Sequence, residues 1–347
     1  MASSINNSGW EEWVAGLVGG VSRQNYSATF PPDRFYCLLD DLPSHLVPRA
    51  AWAAERNRSE WRDLFLNPDC QLQAAGELPQ ELRSHPELAS VFPLEGAIAW
   101  VRDTATGSLV PFWLGPELES VVREWRPSEP IPLSMSAFER SILEGAGILI
   151  SPDCLAERQR AREEAVQMAA ELFKKKGYAP VRGLIHPFHI AALRRYYRHR
   201  IRTGVIPLGD AQSPRRYVAY NDPVARFFHR QIAPVVNAVA GEPVKPSYVY
   251  LASYLGGAEL KKHVDREQCE FSITLCLDFS PEPGLATPWP IRLATPTGTV
   301  TVYQGLGDGL AYRGTRLPHY RLPLGKGQTS TSIFFHYVAA DFSGSLD

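Results

Sequence analysis

From Val244 onward the chain is built of short, β-like segments separated by glycine and proline. They are Tyr248 to Leu255, Glu270 to Phe279, Ile291 to Ala294, Thr299 to Tyr303, Leu310 to Tyr312 and Ser332 to Val338. A period of two residues fits strands and not helices, and many short strands with turn signals between them predict a sandwich or barrel. In the segment from Glu270, Phe271, Ile273, Leu275, Leu277 and Phe279 alternate with Ser272, Thr274, Cys276 and Asp278. One face of that strand is therefore apolar and the other polar enough to line a pocket.

Upstream the period changes. Ser151-Pro152-Asp153 reads as a helix start and Lys174-Lys-Lys-Gly177 as its end, with Ala161, Ala165, Met168, Ala169, Leu172 and Phe173 on one face. Asn221-Asp222-Pro223 predicts a second helix running to about Ala240 and closed by Gly241. Nearer the N-terminus, Ala97 to Asp103 and Ser108 to Leu114 flank a Thr-Ala-Thr-Gly turn and read as a β-hairpin. Pro116 to Trp125 reads as a short helix, Pro127 to Pro132 as a connector, and Ser136-Ala-Phe-Glu139 as a capping box. Seven of the eight tryptophans precede residue 126, an asymmetry that suggests two units. The expectation is an α+β chain: a separate N-terminal α+β domain over residues 1–150, with a role in substrate recognition or assembly, and a β-rich domain over 151–347. The tryptophans read as core rather than as a ligand platform, because aromatic side chains dominate cores.

Composition narrows the function classes. A net charge of −1 supplies no whole-molecule field for non-specific nucleic-acid binding, so no nucleic-acid partner is expected. No stretch approaches a membrane span, and Met1 to Gly9 has no basic start before an apolar run, so no membrane partner is expected either. Five cysteines without a Cys-x-x-Cys pair suggest neither a disulfide framework nor a structural zinc site, and fit a reducing cytoplasm. No nucleophile elbow, P-loop or Rossmann glycine pattern is present.

The chemistry concentrates in the β region. Leu260-Lys-Lys-His263-Val-Asp265-Arg places a histidine and a carboxylate two residues apart, on one side of an extended strand. His319, in Arg316-Leu-Pro-His319-Tyr-Arg321, is a third donor that folded strands can bring back beside the pair. Two histidines and one carboxylate are the facial triad of non-haem Fe(II) oxygenases, which leaves positions open for co-substrate and O₂.

With Tyr254, the turn Gly256-Gly257, His263-Val-Asp265 and Gly307-Asp-Gly-Leu-Ala-Tyr-Arg-Gly314 through His319, the chain resembles the Fe(II)- and 2-oxoglutarate-dependent oxygenases of the prolyl-hydroxylase-like branch. The likeness runs over roughly residues 170–340, with Ala179 to Ile185 similar to the early strand and turn of such enzymes; residues 1–150 are not covered. It implies a double-stranded β-helix, a cupin-like jelly roll with flanking helices. The implied cofactors are Fe(II), 2-oxoglutarate and O₂, with His263, Asp265 and His319 on the metal. The implied reaction is hydroxylation, with succinate and CO₂ as co-products, and a retained Asp265 favours this over halogenation. Family members hold the far carboxylate of 2-oxoglutarate with an arginine or lysine about ten residues after the distal histidine, where this chain has Gln328-Thr-Ser-Thr-Ser332. Arg321 is the preferred substitute, since strand parity points it inward beside His319 and its planar fork suits a carboxylate; Lys326, Ser330 and Ser332 are alternatives. Tyr254 matches the family tyrosine that donates its hydroxyl to the co-substrate.

The expected substrate is an amino-acid side chain, free or in a peptide or protein; a specialised-metabolite scaffold and a catalytically silent cupin-like binding protein are the alternatives. Ten arginines against Asp210 and Asp222 over residues 182–230 read as either an attractor for an acidic substrate or a helix surface paired with acids from elsewhere, the second being favoured. His186 and His336 have no partner at ligand spacing, and Cys269 and Cys276, on opposite faces, read as packing residues.

Overall fold

The computed structural model describes residues 64–346, apart from 75, 93–96, 103–106, 115–118, 182–183, 284–285 and several short stretches between 121 and 146. Trp10, Trp13, Trp52 and Trp61, the capping box Ser136–Glu139 and most of the expected helix 116–125 and connector 127–132 lie outside the described residues. The described chain opens with β1 (Phe65–Leu66), β2 (Gln71–Gln73), β3 (Ile98–Arg102), β4 (Leu109–Trp113) and β5 (Leu149–Ile150). Strands β3 and β4 pair antiparallel as the expected hairpin, and β2 adds to β3.

Helix α1 (Pro152–Lys176) follows, with Lys174 to Lys176 in its last turn and Gly177 just beyond at φ 77°, a left-handed turn that glycine adopts without strain. Then come β6 (Tyr178–Val181), α2 (Pro187–Arg202), β7 (Arg216–Tyr220), α3 (Pro223–Gln231) and α4 (Ala233–Ala240). Asp222 caps α3 by accepting from the backbone N–H groups of Val224 and Ala225. The single helix expected from Pro223 to Ala240 is thus two, parted at Ile232, because Pro234 has no N–H to continue the ladder.

The remaining strands are β8 (Val244–Leu255), β9 (Leu260–His263), β10 (Phe271–Ser280), β11 (Ile291–Thr295), β12 (Gly298–Val302), β13 (Gly309–Tyr312), β14 (His319–Arg321) and β15 (Thr329–Ala339). They form a six-stranded antiparallel sheet in the order β6-β13-β10-β15-β8-β7 and a four-stranded one in the order β12-β11-β14-β9. Tyr178, Leu310 and Tyr312 of the large sheet pack against Ile291, Leu293 and Val302 of the small one, so the two close face to face as a jelly roll. The other face of the large sheet carries Val249, Leu251, Phe271, Ile273, Ile333 and Phe335 against Phe173, Leu193, Phe228 and Val236 of the helices. Each such fully buried side chain contributes about 1.5–3 kcal/mol.

Two expectations change here. The alternation along β10 breaks at a bulge between Cys276 and Asp278. Beyond it Phe279 joins the interior cluster with Tyr254 and Trp289, while Asp278 turns to the helices and accepts from Arg194 and Arg198. Nor do the described residues before 150 form a separate unit. Leu82, Leu88, Phe92, Ile98, Trp100 and Leu109 share one core with the helices and the large sheet, and His189 Nε2 of α2 donates to the Leu109 carbonyl at 3.0 Å. The other face of the hairpin sheet covers a smaller core with Leu66, Leu143 and Leu149, so this sheet links the two cores.

Candidate metal and anion site

Register places the first two donors. His319 on β14 lies directly opposite His263 on β9, and the chain then brings Asp265 back toward both. His263 Nε2 is 3.4 Å and His319 Nε2 is 3.5 Å from Asp265 Oδ1, and the two imidazole centroids are 4.4 Å apart. Candidate ligand atoms of all three residues lie within 4.8 Å of one another.

The second nitrogen of each ring is occupied in the same way. His263 Nδ1 donates to the Lys261 carbonyl at 2.8 Å and His319 Nδ1 to the Leu317 carbonyl at 3.0 Å, which turns both Nε2 atoms toward Asp265, where each can give a proton to the carboxylate or, once deprotonated, a lone pair to a metal. This is how ligating histidines are held: the outer hydrogen bond fixes the tautomer and the ring orientation. Asp265 is anchored from both ends, its N–H donating to the Gly314 carbonyl and its Oδ2 accepting from Ser272 Oγ at 3.1 Å. Burial pushes its carboxyl upward, but the hydrogen bonds from His263 and His319 outweigh this and hold it well below the usual carboxylate range. The hydrogen bond to Asp265 raises His263 in turn.

The site opens into a pocket of about 410 Å³, lined by Tyr248, Tyr250, Arg266, Tyr312 and Phe334 as well as the three donors. Exposed Tyr220 and Val264 also lie on its lining. His336 and Cys269 line it too, which their spacing in sequence gave no reason to expect. His336 sits opposite Ser272 across β10 and β15, and Cys269 lies in a 3-10 turn ahead of β10 rather than on the strand. Cys276, on β10 itself, is buried, and both thiols are free. His186 lies beside His189 in the helical layer.

Arg321 is 4% exposed and points inward as strand parity requires, with Tyr320 turned the other way. Its guanidinium donates to the Trp289 carbonyl and to Gln304 Oε1, and stacks over the Trp289 ring at 4.8 Å. Among the described residues it forms no ion pair with a carboxylate, and burial lowers its pKa. Gln304 donates in turn to the Thr274 carbonyl. Tyr254, whose ring packs edge-on against Trp289, has a buried hydroxyl without a partner, and so does Thr274. A buried cation with only neutral partners, beside hydroxyls left unsatisfied, is a setting that an anion would complete. Lys326 is exposed, while Ser330 and Ser332 are buried.

Four arginines of the arginine-rich stretch face acids. Arg194 and Arg198 bind Asp278, Arg194 also binds Glu282, Arg200 lies 3.6 Å from Asp222, and Arg216 binds Asp210. These pairs fit a helix surface paired with acids at those four positions; Arg182 lies outside the described residues. Among the described residues no helix is long and apolar enough to cross a membrane.

No family model matches the sequence, and no curated protein matches it. A search of solved structures finds matches to about half of the chain. The alpha ketoglutarate dependent epimerase SnoN from nogalamycin biosynthesis is 14% identical, over 51% of this chain and 84% of that one, with a TM-score of 0.43. AviO1 from Streptomyces viridochromogenes is 19% identical, over 51% and 96%, at 0.42. A prolyl-4-hydroxylase from Pseudomonas putida is 17% identical, over 50% and 98%, also at 0.42. The part of this chain covered by these matches is its C-terminal half.

Proposed function

We propose that this chain is an Fe(II)- and 2-oxoglutarate-dependent dioxygenase that hydroxylates a small molecule or a single side chain, most simply that of an amino acid, free or within a peptide. The observation that carries this reading is the convergence of the two Nε2 atoms on Asp265 Oδ1. His263, Asp265 and His319 would hold the iron on one side and leave the pocket side open. Arg321 would receive the far carboxylate of 2-oxoglutarate, with the unpartnered hydroxyls of Tyr254 and Thr274 completing its hydrogen bonds. The bound metal and co-substrate supply the oxidising chemistry, with succinate and CO₂ as co-products.

The chain's own residues do the rest. The carbonyls of Lys261 and Leu317 fix the imidazole tautomers, and Ser272 and Gly314 orient the carboxylate. Tyr250, Tyr312 and Phe334 contribute aromatic rings to the pocket wall, against which a substrate can pack. Arg266 at the lining and Lys261 on the neighbouring strand place positive charge near the entrance, which suits a substrate with an acidic group.

The test is an anaerobic titration of metal-free protein with Fe(II), with and without 2-oxoglutarate, following the visible metal-to-ligand charge-transfer band. The reading requires a band that needs both components and is lost in Asp265→Ala. No joint effect of iron and 2-oxoglutarate would leave a silent binding protein. Substrate screening by succinate release would then separate amino acids and peptides from larger metabolite scaffolds.

A further inference from the structure

Beside the first donor set lies a second, built from Asp265, Cys269 and His336, whose candidate ligand atoms are likewise within 4.8 Å of one another. All three line the same pocket, and Cys269 and His336 are 1% and 2% exposed. The hydrogen bonds around this set prepare it for a cation. Ser272 Oγ has one proton and touches three groups: Asp265 Oδ2 at 3.1 Å, the Cys269 carbonyl at 3.2 Å and His336 Nδ1 at 2.9 Å. The carboxylate and the carbonyl can only accept, so the hydroxyl proton goes to them, and the imidazole must supply the proton of the third contact from Nδ1. That leaves His336 Nε2 as a lone pair, buried and without any partner.

The thiol is prepared in the same manner. Arg266 Nε donates to Tyr248 Oη at 3.3 Å, so the tyrosine's own proton is free for Cys269 Sγ, 3.1 Å away. Burial pushes the Cys269 thiol up to about 12, against which the Tyr248 hydroxyl aimed at sulfur and the nearby Arg266 guanidinium favour the thiolate, so the thiol gives up its proton only to a bound cation. Sulfur, imidazole nitrogen and carboxylate oxygen, each held by an outer hydrogen bond, suit a borderline-soft ion of the zinc class and not magnesium or calcium.

We propose that Asp265, Cys269 and His336 form a second cation seat, selective for zinc-class ions, that shares Asp265 with the His263–His319 seat. Binding there replaces the thiol proton, which leaves to solvent, and completes the coordination with water. Because the seats share one carboxylate, zinc in the second draws Asp265 from an ion in the first. Zinc would then weaken the first seat without displacing His263 or His319.

The test uses the full chain, stripped of metal, with Co²⁺ as the spectroscopic probe. In the H263A/H319A variant, which lacks the first seat, one equivalent of Co²⁺ should bind and give a near-ultraviolet thiolate-to-cobalt charge-transfer band that Zn²⁺ titrates away. Adding Cys269→Ser should abolish the band, and His336→Ala should weaken binding at least tenfold. A band that survives Cys269→Ser, or Co²⁺ bound without any thiolate band, overturns the proposal. If circular dichroism shows H263A/H319A to be unfolded, the wild-type chain is compared with Cys269→Ser alone: loss of the band supports the seat, and identical spectra overturn it. The iron reading fails or stands separately, on the Fe(II) and 2-oxoglutarate band, which does not depend on sulfur.

Discussion

His263 faces His319 across the β9–β14 ladder, and each ring donates its Nδ1 proton to the carbonyl two residues before it. The tautomers are therefore set by local backbone, before any ion arrives, and Asp265 is the one charged member of the set. Asp265→Ala should abolish both the iron-dependent charge-transfer band and succinate production. Unchanged turnover would remove Asp265 from the metal site.

Arg321 is buried with neutral partners only, so its charge is the natural counterpart of an incoming carboxylate. Arg321→Ala should raise the 2-oxoglutarate requirement by the order of 2–5 kcal/mol, the cost of losing one partner of a buried charge pair. Lys326→Ala, at an exposed position, should leave the requirement unchanged. Steady-state succinate release across 2-oxoglutarate concentrations measures both, and an unaltered Arg321→Ala would transfer the role to Ser330 or Ser332.

Gly314 is needed for what it lacks. A Cβ there would overlap Asp265 Oδ2 and the Cys269 carbonyl and crowd Ser272 Oγ. Gly314→Ala should therefore lower metal affinity by about 10–100-fold, the range seen when groups orienting a ligand are disturbed. Calorimetric titration with Fe(II) or a redox-stable surrogate reads this directly, and unaltered affinity would mean that the carboxylate has room to move.

Asp278 holds Arg194 and Arg198 together beneath the bulge in β10. Removing its charge takes from Arg194, 2% exposed at its side chain, its buried carboxylate partner, while the half-exposed Glu282 stays in place. Asp278→Asn should cost a few kcal/mol, towards the lower end of the roughly 3–5 kcal/mol expected for a broken buried pair. Urea unfolding should show a lower midpoint with an unchanged slope.

His189 and His229 are buried, and desolvation lowers their pKa values from the ordinary 6.5 to about 4 and about 3. In the unfolded chain both take up protons as the pH drops through 6.5, whereas the folded chain holds them neutral. Their contribution is thus fully present above pH 6.5 and is lost as the pH falls from there towards 4, by on the order of 3 kcal/mol for each group. Denaturation midpoints measured from pH 7.5 downward should fall accordingly, and His189→Gln should flatten the slope. A flat profile in the wild-type chain would show that these rings are not buried neutral.

How much of this was legible in the sequence follows from the range of each interaction. The short β-like segments after Val244 gave the strands of the jelly roll to within a few residues, because strand-forming residues and the Gly/Pro turns between them are local signals. The C-terminal end of α1 and the N-cap of α3 were readable because such signals are local too. So were the His-x-Asp pair, its partner His319 and the inward parity of Arg321. Packing between distant segments was not. The bulge that turns Asp278 to the helices serves two arginines on α2, and the hairpin of residues 98–113 joins the main core only because α2 lies against it. His336 and Cys269 carried no spacing signal, since neither has a ligand partner nearby in sequence on its own element. They face Asp265 because β15 pairs with β10 at Ser272 and a 3-10 turn folds back beside it, and such register is set by the whole sheet rather than by any local run of residues.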